Sequence, residues 1–135
     1  TPEQVNGYIG KPAFEDICRQ YLNRLNRKKK LPFTATSFGS WWGNDPKARA
    51  QTDLDVIAAN KNQKQLLIGE CKWRPADTLG SGDIASWMSK THLLPEYTDR
   101  YYYCFSKAGF TDSVKAFADT QDRLSLIDLN DLFRL

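Results

Sequence analysis

The chain has 135 residues, 41% hydrophobic and 26% charged, the composition of one soluble globular domain and not of a disordered or collagen-like chain. Its longest apolar runs are as short as Leu66-Leu67-Ile68, which excludes a membrane-spanning helix, and Thr1 to Gly10 has no apolar centre of the kind a secretory signal needs. The net charge of +3 is uneven: residues 1–50 carry nine Lys/Arg against four acids, and residues 51–135 carry ten against twelve. The basic first part permits a polyanionic partner without proving one. Cys18, Cys71 and Cys104 form neither a disulfide framework nor a zinc spacing, and a reducing cytoplasm is the simplest home. Residue 1 is Thr, so the chain is read as a single domain, 1–135, of a longer protein.

Phe14, Ile17, Cys18, Tyr21, Leu22 and Leu25 make one apolar stripe at helical spacing, which predicts a helix over 11–29 with Pro12 in its first turn and Pro32 beyond its end. Its last turns carry Arg24, Arg27, Lys28, Lys29 and Lys30, read either as solvated cations complementing the helix dipole or as phosphate contacts. Thr34 to Trp42 predicts a strand, followed by a loop over 43–46. Strands at 52–58 and 65–73 flank the short polar turn 60–63 and predict an antiparallel hairpin. A Pro/Gly/Ser/Asp loop over 75–82 precedes a helix over about 82–92. A buried strand at 101–106 follows, then a helix with Val114, Phe117 and Ala118 inward and a strand at 124–127. A short last helix at 131–133 is capped by Asn130. The fold class is α/β: a mixed sheet flanked by helices in the order αβββαβαβ.

The chemistry concentrates on the hairpin. Alternation places Asp53, Asp55 and Ile57 on one face of their strand and Leu54 and Val56 on the other. On the next strand Glu70, Lys72 and Arg74 share one face, and Cys71 and Trp73 the other. Burying a carboxylate and an ammonium on a central apolar strand is costly unless each is partnered. A hard divalent cation suits two carboxylates converging from adjacent strands, because its charge removes their repulsion. Lys72 sits about 7 Å along from Glu70, placed to orient a water or to meet charge developing on a phosphate. Glu15 borders the apolar stripe of the first helix, at the edge of the core.

Asp55, then Glu70-Cys71-Lys72 after a short hairpin, with Glu15 on a preceding helix, resembles the PD-(D/E)XK motif of restriction-endonuclease-like nucleases. More narrowly, residues 52–58, 68–73 and 105–112 resemble the uncharacterised nuclease-like C-terminal domain of prokaryotic AAA-type ATPases. The resemblance implies that Asp55 and Glu70 bind Mg²⁺ or Mn²⁺, with the Cys71 carbonyl as a further ligand. It implies Lys72 as the catalytic lysine, Glu15 as an accessory acid, and ATPase and winged-helix modules on the parent chain. No Pro precedes Asp55, a departure from the motif. The implied reaction is cleavage of a phosphodiester in DNA by metal-activated water.

Other residues carry paired readings. Lys28, Lys29, Lys30, Arg74 and Lys107 are candidate nucleic-acid contacts or plain surface charge. Asp53 is an acid supporting the ligands or a solvated strand end. Trp41-Trp42 supplies a base-stacking ring or a cleft wall, with one of the two in the core. His92 is expected as an exposed helix-end residue. The alternative to an enzyme is a catalytically silent module binding nucleic acid or protein for its ATPase, and a third reading is a structural or oligomerising domain. The motif that the chain resembles is also that of Holliday-junction resolvases, which often dimerise, so a homodimer stays open.

Overall fold

The computed structural model describes residues 10–73 and 79–134. Helix α1 (Lys11–Arg27) follows the apolar stripe, burying Phe14, Cys18, Tyr21, Leu22 and Leu25. It ends two residues before the predicted stop because Lys29 adopts the left-handed region at φ 57° and the Lys30 N–H closes onto Leu25 O at 2.8 Å. The Asn26 side chain then holds both the N–H and the carbonyl of Ala35, at 2.8 and 3.0 Å. Those groups are withdrawn from the ladder, so β1 is Ser37–Asp45 and begins three residues after the expected Thr34. The strand also takes in residues 43–45 of the predicted loop, and the chain turns only at 46–49.

Strands β2 (Ala50–Asn60) and β3 (Gln65–Lys72) form the expected antiparallel hairpin. Helix α2 (Ser81–Met88) passes into a 3₁₀ turn, Ser89–Leu93, where one continuous helix was expected. Strand β4 (Asp99–Ser106) lies parallel to β3, helix α3 (Asp112–Asp119) is capped by Thr111, and β5 (Leu124–Ile127) lies parallel to β4. Helix α4 (Leu129–Phe133) is capped by Asp128 and not by Asn130: Asp128 and Asp131 exchange side-chain and backbone hydrogen bonds at 2.9 and 3.0 Å.

The result is a five-stranded mixed sheet in the order β1-β2-β3-β4-β5 flanked by helices, consistent with the restriction-endonuclease-like class. α1 and α4 cover one face, over Val56, Ala58, Leu67, Cys71, Phe105 and Ile127. α2 and α3 cover the other, over Leu54, Ala59, Leu66, Ile68 and Cys104. Among the described residues no helix is long and apolar enough to cross a membrane.

One irregularity shapes the site. Gly39 pairs with Ile57 and Trp41 with Leu54, so Asp55 and Val56 together oppose the single residue Ser40. This bulge breaks the alternation expected of β2, which put Leu54 and Val56 on one face. Leu54 instead packs under α2, while Val56 packs under α1. Opposite the bulge, Val56 pairs with Gly69 of β3, where an added Cβ would stand 3.1 Å from the Phe105 ring and 3.3 Å from Val56 Cβ. A side chain there would press on both neighbours. Gly69→Val is therefore expected to destabilise the protein by about 1–3 kcal/mol, read as a lower urea midpoint. A midpoint equal to that of the unsubstituted protein would show that Phe105 and Val56 yield freely.

Candidate active site

The bulge, the end of β3 and the start of α1 bring three carboxylates together. Asp55 is 7% exposed, and its Oδ2 accepts the Cys71 N–H at 3.0 Å. Asp55 is also hydrogen-bonded to Glu70 from β3 and to Glu15 from the first turns of α1. Lys72 Nζ lies 3.7 Å from Glu70 Oε2, and Lys11 Nζ lies 4.0 Å from Glu15 Oε2. A cleft of about 620 Å³ opens over Asp55, Glu70 and Lys72 at the carboxyl ends of the parallel strands β3 and β4.

Carboxylates this close cannot all ionise cheaply. Burial, joined by the hydrogen bond to Asp55 and its charge, pushes Glu70 up to about 8, against the pull of Lys72 and Lys90. Burial and the same Asp55 charge push Glu15 up, with Lys11 and Arg19 opposing. Burial acts upward on Asp55 too, but the hydrogen bonds from Glu70, the Cys71 N–H and Glu15, with the charge of Lys11, outweigh it and leave the group below its ordinary value. Asp55 is thus the ionised member, and Glu70 holds a proton at neutral pH.

The donor chemistry fits a hard divalent cation: every group is a carboxylate, and the proton shared between Asp55 and Glu70 occupies the role a cation would take. Mg²⁺ is commonly held by one or two carboxylates and several waters, which a pair can satisfy. Among the described residues no three His, Cys, Asp or Glu side chains gather around one point. The set is two carboxylate pairs sharing Asp55, not a closed cage. Trp87 lines the same cleft, and its indole N–H is the buried side-chain donor without a partner among the described residues, one that a water or an oxygen ligand would satisfy.

Asp55 therefore meets Glu70 and Glu15, and Lys72 meets Glu70. Of Cys71 it is the N–H, not the carbonyl, that is tied to Asp55, and its thiol is buried beside Cys18, whose hydrogen bond pushes it well up. Asp53 stands exposed at the rim. Lys107 is beside the site, its N–H donating to the Lys72 carbonyl at 2.9 Å. Lys28, Lys29 and Lys30 are at the opposite end of α1 from Glu15, about 20 Å away by helix rise. Arg74 lies outside the described residues.

Two cleft lysines were not anticipated. Lys11 enters from the start of α1, and Lys90 from the 3₁₀ turn, its Nζ 3.5 Å from the Asp53 carbonyl. His92 is the other surprise: it is half-buried, not exposed. Its Nε2 meets Asp45 Oδ1 at 3.0 Å, and its Nδ1 meets the Ser89 carbonyl at 2.7 Å. Both ring nitrogens face acceptors, so making both bonds takes the doubly protonated ring. The His92 bond holds the Asp45 carboxyl below its usual range and ties the turn bearing Lys90 to the end of β1.

The fold and cleft define an α/β protein with a carboxylate and lysine site at the end of a mixed sheet. The crystal structure of AF1548, a protein of unknown function, shares this fold with a TM-score of 0.52 at 14% identity, over 84% of this chain and 59% of that one. Residues 2–82 match DUF234, archaea bacterial proteins of unknown function, and the chain belongs to that family. The match spans Glu15, Asp55, Glu70 and Lys72. Over 69 residues the chain is 36% identical to the uncharacterized protein MJECL04 of Methanocaldococcus jannaschii, which covers 51% of this chain and 14% of that protein. The chain thus spans less than two thirds of the length of either relative.

The raised Glu70 makes stability pH-dependent. Its folded value of about 8 exceeds its ordinary 4.5, so its contribution is complete below pH 4.5 and is lost as pH rises through about 8. In metal-free protein this group is expected to lower stability by at most about 1.4 kcal/mol per pH unit between about pH 4.5 and 8, with no further slope above that, and Glu70→Gln to flatten that decline. Denaturant titrations across pH measure it. An unchanged slope in the variant would contradict the shared proton.

Proposed function

We propose that this chain is a metal-dependent phosphodiesterase domain of the PD-(D/E)XK type, acting on DNA as part of a larger, cytoplasmic ATPase. The observation that carries the reading is the meeting of Asp55 and Glu70 beside Lys72 in one cleft, with Glu15 joined to Asp55 from α1. Three buried free thiols agree with a reducing compartment. The small share of MJECL04 that the chain spans agrees with a module carried on a longer protein.

Asp55 and Glu70 would hold Mg²⁺ or Mn²⁺, with Glu15 adding charge from α1. When bound, the cation supplies Lewis acidity toward water and phosphate oxygen. Asp55, fixed by the Cys71 N–H, keeps its carboxylate aimed into the cleft. Lys72 keeps its ammonium beside Glu70, where it can face a phosphate oxygen and stabilise the charge that grows there. Lys11 and Lys90 extend positive charge along both walls and orient the backbone of a nucleic-acid strand.

Calorimetric titration with Mn²⁺ is expected to give a heat in the unsubstituted protein and none in Asp55→Ala. Lys72→Ala should keep that heat while losing at least about a hundredfold in cleavage of plasmid DNA, since it removes transition-state charge and no ligand. Equal loss of metal affinity in both variants would contradict these roles. A second reading, a silent nucleic-acid- or protein-binding module, is favoured by the pairwise meeting of the carboxylates. Salt-dependent DNA binding without cleavage under saturating Mn²⁺ would select it.

A further inference from the structure

Trp42 is 75% exposed, and among the described residues only Phe133, on the far helix α4, joins it as an exposed large hydrophobic side chain. Its neighbour Trp41 is turned to the opposite face, where its ring comes within 3.1 Å of a Cβ added at Gly43 and packs with the core under α2. Alternation therefore leaves Trp42 on the outer side of an edge strand, a place where folding gains little from an indole and where polar residues normally protect the edge.

Trp42 pairs in register with Asp53, so the two share a face, and Asp53 lines both the carboxylate cleft and a shallow hollow formed with Trp42, Gln51 and Thr52. Asp55 lies two residues further along β2, at the bulge, about 7 Å from Asp53 by strand rise. That is a span comparable to one nucleotide of an extended strand. Beyond Trp42, the turn at the hairpin end exposes Lys47 and Arg49. A flat π surface thus lies between a cationic turn and the carboxylate cleft. Gln51 and Asp53 beside it offer an amide and a carboxylate to the polar edge of a base.

We propose that Trp42 is a stacking platform for an unpaired base, so that the substrate entering the cleft is a single strand or a locally opened one. The proposal rests on the phosphodiesterase reading only for what happens in the cleft; the stacking stands on the hairpin. Bases inside a duplex are covered on both faces by their neighbours and cannot offer a ring to the indole. An unpaired base can, and stacking on an aromatic side chain is sequence-tolerant.

The test is fluorescence anisotropy with a short labelled DNA strand, the same sequence closed as a duplex hairpin, and the same sequence as RNA. Ca²⁺ replaces Mg²⁺ to suppress cleavage. Trp42→Ala is expected to weaken single-strand binding roughly tenfold or more while leaving hairpin binding nearly unchanged, and Trp42→Phe to retain most of the affinity. DNA or RNA binding through Trp42 supports the proposal, and the stronger of the two identifies the sugar accepted. Equal losses on strand and hairpin would overturn it, as would no loss or no single-strand binding by the unsubstituted protein. A dimer by light scattering that Trp42→Ala converts to monomer would overturn it too, assigning the indole to a second copy of the chain. Cleavage run in parallel separates the two readings. Trp42-dependent binding without cutting keeps the platform and removes the nuclease; cutting indifferent to Trp42 keeps the nuclease and removes the platform.

Discussion

Two carboxylate pairs that share Asp55 at the end of a sheet are the constraint on which the rest depends. Asp55 is buried and ionised, and an unpartnered charge at such a position would cost several kcal/mol. Its partners are the Cys71 N–H, Glu70 and Glu15. Glu70 and Cys71 come from β3 and Glu15 from α1, so the same contacts that stabilise the charge also dock the start of α1 and the end of β3 onto β2. Carboxylates paired this way need something positive between them, and a proton or a cation can serve in electrostatic terms.

The bulge in β2 decides where that charge points. By placing Asp55 and Val56 opposite one residue of β1, it lets Val56 stay in the core under α1 while Leu54 fills the other face. Gly69, across from Val56, makes the space for this. The cleft then inherits lysines from α1, β3 and the 3₁₀ turn, a mixed field that under the proposed function would serve an anion approaching through a metal.

Much of this was legible in the residues. The spacing from Phe14 to Leu25 marks α1 because a helix has one face to bury, and the two-residue period of Leu66 to Lys72 puts Glu70 and Lys72 together because a strand has two. What stayed hidden depends on contacts distant along the chain. Lys90 reaches Asp53 across 37 residues and His92 reaches Asp45 across 47, and no local pattern encodes either. The bulge is a property of the β1–β2 pairing, so alternation read on β2 alone misplaces Leu54 and Val56. The stop at Arg27 depends on Lys29 taking a conformation usually left to glycine. One signal was present and overlooked: Asp128-x-x-Asp131 has the spacing of a reciprocal cap, which Asn130 lacks.

The most direct measurement is a ¹³C NMR titration of the Glu70 side-chain carboxyl with and without Mg²⁺. In metal-free protein the midpoint should fall near 8, and saturating Mg²⁺ should carry it down into the ordinary carboxylate range as the cation replaces the proton. A midpoint near 4.5 in both conditions would show that these carboxylates neither share a proton nor receive a metal.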